Sequence, residues 1–565
     1  MANGGGHSPR LWALVARNIW QQTRRRLRSG PGYRWRYAGR TPERVLIAPP
    51  DLRLADARIA AEIYHGRYPL AGQLVESGGE SPFQLPVANR GWQRSLYGFR
   101  WLRHMRAAGS DLASANARSL VADWIALQGW RMTGPAWEVD TTAKRVIAWL
   151  QHSSVVLQGA DFRFYRSFLR SLAVQIRYLR SVAGEAPIGR DRMRARIALA
   201  YAALALPAPV SALRQASRQL AEELERQILP DGGHVSRNPL VIVELLADLL
   251  PLRQTYANQA EMPPPELVGA VERMLPALRF FRLGDGSLAR FNGMGATIQE
   301  RIAAILRHDD TAGAPLTQAP HSGYQRLALG TAVVIADTGV APPVDVSIRA
   351  HAGCLSFEMS SGRQAIVVNS GVDTYGSADF RPLARATAAH STATLNDTSS
   401  ARFNLPPHFT RWTGSVLVDG PTKVHVQRTD RPGRQGFVAS HDGYLARFGI
   451  LHEREIVLSD EGRVLSGTDS FLGPRGSALP AGSGDGATVR FHLHPDVDLQ
   501  WDGTGGPVLV VAKDRWRFHS PDVAPTVEDS IFFAALPGPR RTRHIALSFK
   551  PCEVSRVRWR FALED

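Results

Sequence analysis

The sequence predicts an α+β protein of several domains, in which a helical N-terminal half precedes a C-terminal half of antiparallel β-strands. From about residue 90 to residue 310, apolar residues recur every three to four positions, which is the period of one helix face. After about residue 325, short β-branched runs alternate with Gly, Asp and Pro turns, a pattern typical of an antiparallel sandwich. Because the helices come first and the strands follow with little alternation, we expect two separate layers or domains.

The helical half reads as a series of helices joined by short loops. Trp92 and Leu96 begin the first apolar stripe, and loops such as GEAPIG and LPDGGH interrupt the later ones. Serial helix pairs of this kind fit a bundle, a solenoid or a toroid, and the periodicity leaves these three open. Helices are predicted at Ala143–Leu157, Phe162–Leu179, Arg192–Leu206, Ser211–Ile228 and Pro239–Gln254.

The strand half is predicted to follow a linker at Asp309–Gly323, which contains Thr, Ala, Gly and Pro. The chain would then divide into a basic, partly helical extension (1–85), a helical domain (86–320) and a β-sheet domain (321–565). Strands are predicted at Ala332–Ala336, Cys354–Met359, Gln364–Val368, Val416–Val418, Lys423–Gln427, Glu455–Leu458, Val464–Asp469, Val489–His494, Val508–Val511 and His544–Phe549.

Composition narrows the class of partner. The only cysteines are Cys354 and Cys552, which excludes a disulfide framework and a cysteine-rich zinc module. The formal charge of +17 attracts polyanions, and nearly all of it comes from arginine, whose planar fork suits carboxylate, sulfate and phosphate. A genome-wide bias toward arginine codons explains the same composition equally well. Nucleic acid is disfavoured as a partner, because no helix-turn-helix, RNP-like or zinc-finger signature occurs.

The N-terminal segment bears on location. Leu11–Trp20 is apolar but contains Arg17 and Asn18, and neither a signal peptide nor an uncharged run of about 18 apolar residues is found. The stretch Leu11–Leu27 predicts an amphipathic helix with a basic end, which suits peripheral membrane contact. A solvated extension is the alternative. The expected location is therefore the cytoplasm or the inner face of a membrane.

One segment carries a set of motifs in order. Residues 349–392 read RAHAGCLSFEMSSGRQAIVVNSGVDTYGSADFRPLARATAAHST, and the fragments ILPDGGHVSRNP, SGYQRL and ASHDGYLARFGILHEREI occur around them. This ordered set resembles the heparinase II/III-like polysaccharide lyases over most of residues 90–560. The resemblance implies an incomplete (α/α) toroid followed by an antiparallel β-sandwich, in agreement with the periodicity. It also implies the periplasm or cell envelope as an alternative location.

The resemblance implies a chemistry. Such lyases cleave uronate-containing polysaccharides by β-elimination, which needs a group that neutralises the carboxylate, a base and an acid. The implied partner is an anionic polysaccharide, heparin-like or a bacterial acidic glycan, bound in a cleft between the two halves. No organic cofactor is implied.

Three positions depart from the family pattern. Arg190–Asp191 stands where Asn–His is expected, Val241 stands where a tyrosine is expected, and Arg349 stands where the first sheet histidine is expected. Unmodified β-elimination is therefore doubtful on sequence alone. A catalytically inactive protein that binds an acidic glycan or an envelope polymer is the alternative.

The junction after the Asp–Gly–Gly turn supplies candidates from the helical half. We predict His234 and Arg237 as catalytic residues and Asn238 as a substrate-binding residue, because a helix N-terminus attracts carboxylate or sulfate. Helix capping is the alternative for Asn238, since it precedes Pro239 at a place that suits the first turn.

Five other side chains complete the candidate set. Arg349 and Tyr375 are predicted catalytic residues, and Arg190 and Arg385 are predicted to bind the acidic groups of a substrate. Trp149 is predicted to stack on a sugar ring. Three of them have structural alternatives, which are a turn position for Tyr375, an ion pair with Asp373 or Asp379 for Arg385 and core packing for Trp149.

The resemblance also implies one structural zinc ion. Its ligands would be His351, Asn369 and His390, where the family uses two histidines and an aspartate. An amide is a poor ligand for Zn²⁺ compared with a carboxylate. The alternative is a pair of histidines packed in a hydrogen-bonded sheet core.

Overall fold

Helical and strand elements separate along the chain as predicted. The structure, a computed structural model, describes residues 9–310, 313–376, 380–403, 409–410, 413–479, 485–501 and 505–564. Two units emerge: the first comprises the chain up to Ile228 with Val243–Glu272 and Glu300–Asp310, and the second comprises Leu229–Ile242, Arg273–Gln299 and the chain after Asp310. Leu229–Ile242 and Arg273–Gln299, two short pieces of the helical half, thus belong to the strand unit. A single boundary at residue 320, as predicted, does not describe this division.

The helices follow the apolar stripes and begin at ordinary caps. Asp161, for example, accepts a hydrogen bond from the backbone N–H of Phe164 and so starts the long helix after it. In the described part of the chain the helices are α1 (Pro9–Ser29), α2 (Ala57–Tyr64), α3 (Arg90–Tyr97), α4 (Leu102–Ala108), α5 (Asp111–Gln128), α6 (Val139–Gln151), α7 (Ser153–Leu157), α8 (Phe162–Val182), α9 (Arg190–Ala205), α10 (Val210–Gln227), α11 (Pro239–Asn258), α12 (Pro265–Phe280), α13 (Gln299–Leu306), α14 (Arg381–Arg385) and α15 (Leu445–Phe448).

The core of the first unit is aromatic. Trp124 packs against Trp137 and Trp149 at ring-centroid distances of 6.0 and 5.5 Å. The buried guanidinium of Arg145 lies 4.0 Å from the ring centroid of Trp124 and donates to the carbonyl oxygens of Tyr97 and Ala136. The π face and the carbonyls together stabilise this buried cation.

The strands of the second unit form two antiparallel sheets. One has the order β17-β18-β13-β7-β6-β5-β4-β3 with β8 also on β13, and the other has the order β14-β15-β16-β19-β12-β11-β10-β9. The strands are β1 (Arg67–Leu70) and β2 (Gln73–Glu76) of the first unit, and β3 (Gln318–Ala319), β4 (Tyr324–Leu329), β5 (Ala332–Asp337), β6 (Phe357–Ser361), β7 (Gln364–Val368), β8 (Ala393–Leu395), β9 (Val424–Arg428), β10 (Arg434–His441), β11 (Leu451–Ser459), β12 (Val464–Leu472), β13 (Ala487–Leu493), β14 (Asp498–Gln500), β15 (Val508–Val511), β16 (Asp514–His519), β17 (Thr526–Phe532), β18 (Arg540–Phe549) and β19 (Arg556–Leu563).

The two sheets share one apolar core. Trp559 of β19 stacks on Phe357 of β6 at a ring-centroid distance of 5.5 Å and contacts Phe491 of β13. Gly467 of β12 makes room for the indole, because a Cβ there would lie 2.2 Å from a Trp559 ring carbon. This packing of one sheet on the other is the sandwich that the strand pattern predicts.

Three predicted elements differ from the structure. The helix predicted at Ala143–Leu157 is interrupted at His152, a buried residue outside helical geometry. The strand predicted at Cys354–Met359 begins only at Phe357, because Leu355 has a φ of +60° that ends extended structure there. Val416 and Leu417 are buried, but the segment Val416–Val418 forms no strand. Helix α12, which contains Pro265 and Pro276, was not predicted.

Candidate functional site

A cavity of about 130 Å³ lies within the second unit. Its wall includes Leu240 from the first turn of α11, a loop with Gly293 and Gly295, the segment at Arg349 and the turn at Asp373. Most of these pieces come from motifs that the sequence singled out. The cavity is therefore where the predicted site residues are to be sought.

Two glycines allow the walls to approach. Gly293 has a φ of +94°, and a Cβ there would lie 2.9 Å from Cβ of Arg349 and 3.0 Å from Nδ2 of Asn238. A Cβ at Gly295 would lie 2.5 Å from Oγ1 of Thr374. These distances are well below van der Waals contact of about 3.5 Å, so any side chain at either position would force the walls apart.

The cavity wall is rich in arginine. Arg349 and Arg381 are exposed, whereas Arg385 is buried and donates to the carbonyl oxygens of Ala350 and Ser347 and to Ser415. Burial lowers the pKa of Arg385 to about 10, so its guanidinium stays protonated at neutral pH. These acceptors are neutral oxygens, so they leave the charge of Arg385 to act on the cavity.

The carboxylate on the wall is tied to the backbone. Oδ1 of Asp373 accepts hydrogen bonds from the backbone N–H groups of Tyr375 and Gly376, at 3.0 and 2.7 Å. This is an Asx-type turn, in which the carboxylate shapes the loop. Among the described lining residues, three guanidinium groups stand against this one engaged carboxylate.

His351 also lines the cavity and pairs with His390. Nδ1 of His390 lies 2.8 Å from the carbonyl oxygen of Ala386, and a carbonyl only accepts, so this nitrogen carries the proton. Nε2 of His390 then accepts from Nδ1–H of His351 at 2.9 Å. Burial, with the neighbouring ring second, holds the pKa of His351 well below its ordinary value, and burial lowers the pKa of His390 to about 4.

The side-chain oxygen of Asn369, the third predicted zinc ligand, is bound to the backbone. Oδ1 of Asn369 accepts from the backbone N–H of Ser391 at 2.9 Å, and its Nδ2 is buried without a partner. Two imidazoles bonded to each other and an engaged amide do not fit a zinc ion, which prefers thiolate, imidazole or carboxylate. Among the described residues, no group of three or more His, Cys, Asp and Glu side chains is placed to hold a metal.

Arg237 and His234 serve the architecture of the second unit. Arg237 is buried, donates to the carbonyl oxygens of Ser322, Gly323 and Val340, and forms an ion pair with Asp337. The catalytic role predicted for Arg237 is corrected, because its guanidinium is occupied by the β4–β5 region.

His234 is equally enclosed. It is 1% exposed, and Nδ1 lies 2.7 Å from Oγ of Ser236. Its position outside the cavity wall gives it no direct access to a ligand there, so its predicted catalytic role gains no support from the geometry.

Asn238 caps helix α11 and has a donor to spare. Its Oδ1 accepts from the backbone N–H of Leu240 at 2.9 Å, which is the capping alternative of the sequence analysis. Its Nδ2 is buried without a partner and lies beside Gly293, which lines the cavity, whereas Asn238 itself does not. The substrate-binding role of Asn238 stays a prediction.

Tyr375 stands on the turn that forms the rim. It is 42% exposed, and its neighbours Thr374 and Gly376 line the cavity. The catalytic role of Tyr375 stays a prediction.

The two candidates of the first unit are internal. Arg190 forms ion pairs with Glu244 and Asp191, both at 3.0 Å. Trp149 is fully buried between Trp124 and Phe168. The sugar contact predicted for Trp149 is corrected to core packing, and Arg190 is engaged with carboxylates instead of being open to an acidic ligand.

A buried ion network surrounds Arg190. Arg194 pairs with Asp140, Glu244 and Asp248, and Asp248 also accepts from Arg53 and Arg100. This network occupies the place where the resemblance implies Asn–His. At the place of the expected tyrosine, Val241 is buried and apolar.

Sequence reasoning did not identify Asn292, which orients His351. Oδ1 of Asn292 accepts from the backbone N–H of His351 at 3.2 Å, and Nδ2 donates to the hydroxyl of Tyr324 at 2.9 Å. Asn292 has a φ of +49° beside Gly293, so the dipeptide Asn–Gly was the available signal.

Comparison with known proteins places this fold. Residues 311–560 match the family described as Heparinase II/III-like, C-terminal. Heparinase III superposes with a TM-score of 0.71 at 14% identity, covering 98% of this chain and 91% of that chain. Heparan sulfate lyase HepC from Pedobacter heparinus superposes with a TM-score of 0.60 at 16% identity, covering 98% and 88%. At these identities the structural matches show a shared fold, and they confirm the fold class predicted from the sequence.

A relative in sequence extends the match. FtsZ-localized protein C of Caulobacter vibrioides (strain NA1000 / CB15N) is 32% identical over 489 residues, which are 85% of this chain and 83% of the relative. The match spans the helical half as well as the strand half. On this identity and coverage, together with the profile match and the shared fold, the chain belongs to the heparinase II/III-like family.

Proposed function

We propose that this chain binds an acidic, uronate-bearing glycan in the cavity at Arg349 and does not cleave it. The observation that carries the proposal is the contrast in charge at that cavity. Among the described lining residues, the guanidinium groups of Arg349, Arg381 and Arg385 outnumber the carboxylates, of which Asp373 has its Oδ1 already bound to the backbone. A carboxylate or sulfate of the glycan is the chemical partner that such guanidinium groups bind.

One neutral group of the cavity lining favours a sugar acid over a bare anion. Nε2 of His351 is a buried acceptor without a partner. A sugar hydroxyl can donate a hydrogen bond to it, which a bare carboxylate or sulfate cannot do. An acidic sugar thus offers a carboxylate to the arginines and a hydroxyl to His351.

The absence of cleavage follows from the same side chains. A guanidinium cannot serve as a base at neutral pH, so Arg349 does not replace the histidine that the family uses. Burial depresses the pKa of His351, which makes its free nitrogen a weak base. Arg190, at the place of the other catalytic pair, is held by Glu244 and Asp191.

The test pairs binding with turnover. Calorimetric titration against heparan-type, chondroitin-type, alginate and bacterial acidic oligosaccharides is expected to reveal binding by at least one acidic glycan. Absorbance of the unsaturated uronate product is expected to stay flat with the same polymer. A steady rise would contradict the non-cleaving proposal and make Tyr375→Phe the next variant. Failure of every acidic glycan to bind would contradict the binding proposal.

A second candidate function comes from the sequence relative. That relative is named for its localisation with FtsZ. We propose that this chain also associates with FtsZ, and that helix α1 holds it at a membrane surface. The specific observation is the face of α1 with Trp12, Ile19, Trp20 and Leu27, which are 37–69% exposed.

The helix has the pattern of an interfacial anchor. These four residues are spaced seven, eight and fifteen positions from the first, so they share one face. On another face, Arg24 and Arg28 pair with Glu185 at 3.1 and 2.7 Å. Apolar aromatic residues beside arginines suit an anionic lipid surface. Among the described residues, no helix combines the length and apolar character needed to cross a bilayer.

Two sedimentation assays test this second candidate. With vesicles, binding about tenfold stronger to anionic than to neutral lipid is expected, and the double variant Trp12→Ser, Trp20→Ser should lose it while Trp130→Ser keeps it. Equal binding by both variants would contradict the anchor. With FtsZ polymers, the chain is expected in the pellet only when polymers are present, and its absence there would contradict the association.

A further inference from the structure

The paired histidines beside the cavity stand where the family resemblance implies a metal ion. We infer that in this chain the hydrogen bond between His351 and His390 replaces that ion, so that the second unit folds without zinc. We infer further that one substitution, Asn369→Asp, would create a metal site. Both statements hold whether or not the cavity binds a glycan.

The distance between the rings favours a hydrogen bond over a metal bridge. Nδ1 of His351 lies 2.9 Å from Nε2 of His390. Two nitrogens about 2.0–2.1 Å from one tetrahedral zinc ion lie about 3.3 Å apart, and both must offer lone pairs. Here the carbonyl of Ala386 fixes the tautomer of His390, so its Nε2 lone pair is taken up by the proton of His351.

The third position lacks a free anionic oxygen. Oδ1 of Asn369 is bound to the N–H of Ser391, and Nδ2 occupies the place where an aspartate would carry its second oxygen. This amide nitrogen is buried without a partner. An amide N–H group cannot ligate a cation, and here it leaves a polar atom unsatisfied.

The surrounding charges also disfavour a dication. Nε of Arg385 donates to the carbonyl oxygen of Ala350, the residue before His351, at 2.7 Å, which brings a cation to this segment. The backbone N–H of Asn369 donates to Glu358, whose carboxylate is paired with Arg290 at 2.9 Å. Loss of the aspartate therefore removes the charge that would offset a divalent ion.

The hydrogen bond performs the structural task of the metal. It joins the segment at His351, which lines the cavity, to the segment at His390, which leads into β8. The same segments are joined again by Ala352 N–H to the Arg385 carbonyl. These two segments are thus held together by hydrogen bonds between neutral groups.

Zinc content is the first measurement. The full chain is loaded with Zn²⁺ alone, desalted and analysed for metal, with His390→Ala alongside. The expected result for wild type is far less than one equivalent. One equivalent that disappears in His390→Ala would overturn the inference. One equivalent of zinc that persists in His390→Ala would show that the ion binds elsewhere, which supports the inference.

The reverse experiment adds the missing oxygen. Asn369→Asp is expected to take up about one equivalent of Zn²⁺, to develop visible absorption with Co²⁺, and to show a melting temperature that rises with zinc. Asn116→Asp is the matched control, since its Nδ2 is also buried without a partner but lies on α5. A folded Asn369→Asp that binds no more metal than Asn116→Asp would overturn the second statement.

Ring-nitrogen NMR keeps the inference testable if Asn369→Asp does not fold. In wild type, we expect a protonated Nδ1 on both His351 and His390, with shifts unchanged by added Zn²⁺. Zinc-dependent shifts of these two rings would overturn the replacement.

Discussion

Two buried arginines, Arg194 of the first unit and Arg385 of the second, have opposite surroundings. In the first unit, Arg194 pairs with Asp140, Glu244 and Asp248, so a cation at the expected catalytic place is neutralised by carboxylates. In the second unit, Arg385 donates to the neutral oxygens of Ala350, Ser347 and Ser415, and the described lining of its cavity holds more arginines than carboxylates. Charge pairing, more than the number of arginines, decides which region can attract an anion.

The largest expected effect comes from breaking the network of the first unit. Asp248 is fully buried and accepts from Arg53, Arg100 and Arg194. Burial raises the pKa of Asp248, but the three arginines outweigh it and lower the pKa overall. Asp248→Asn should lower the free energy of unfolding by about 3–5 kcal/mol, measured by urea denaturation, because buried cations lose their counterion.

The exposed Asp191 is the control for that measurement. Asp191→Asn should change the free energy of unfolding by less than about 1 kcal/mol, as expected of a surface ion pair. A loss of less than about 1 kcal/mol for Asp248→Asn would contradict the claim that this network stabilises the first unit.

The next effect concerns pH and the neutral histidines of the second unit. The pKa of His390 falls from 6.5 to about 4 on folding, and burial is the main cause. Between these values the unfolded chain binds a proton that the folded chain does not, so stability falls as pH falls from about 6.5 to about 4. The loss from His390 alone is on the order of 3 kcal/mol at the low end.

Urea denaturation at several pH values measures this slope. His390→Gln should flatten it relative to wild type, whereas His65→Gln, at an exposed position, should leave it unchanged. An identical slope in His390→Gln and wild type would contradict the neutral, buried pair.

A smaller effect is expected at the rim of the cavity. Under the binding proposal, Tyr375→Phe keeps the turn, because the backbone N–H of Tyr375 makes the bond to Asp373. Glycan affinity should therefore stay within about twofold, since a single exposed hydroxyl contributes about 0.5 kcal/mol or less. A loss of affinity beyond tenfold would assign Tyr375 a direct contact with the ligand.

Regular elements could be predicted from sequence, because their faces repeat. Helix α8 buries one long apolar face, and β12 alternates half-buried and buried residues over Val464–Thr468, so periodicity placed both. The strand predicted from Cys354 begins three residues too early, because the positive φ of Leu355 comes from a local turn that periodicity does not encode. The order of helices and strands was predicted; the interleaving of the units was not.

The candidate site was predictable in its chemistry and less so in its pairing. The substitution of Asn369 for an acid can be read from residue type alone. The partners of Arg190 and Arg237 cannot, because Glu244 and Asp337 lie 54 and 100 positions away along the chain. A charged side chain shows its type in the sequence, but only the fold shows whether that charge is already neutralised.

The most direct test of the account compares one exposed arginine of the cavity with one paired arginine of the first unit. Affinity for an acidic oligosaccharide that wild type binds is measured by calorimetry for Arg381→Ala, for Arg190→Ala and for Arg363→Ala, an exposed control in the β6–β7 turn. The account predicts a loss of about tenfold or more for Arg381→Ala, the usual effect of removing one charge-assisted contact, and little change for the other two. A loss confined to Arg190→Ala, or equal in all three variants, would contradict the claim that the cavity of the second unit is the anion site.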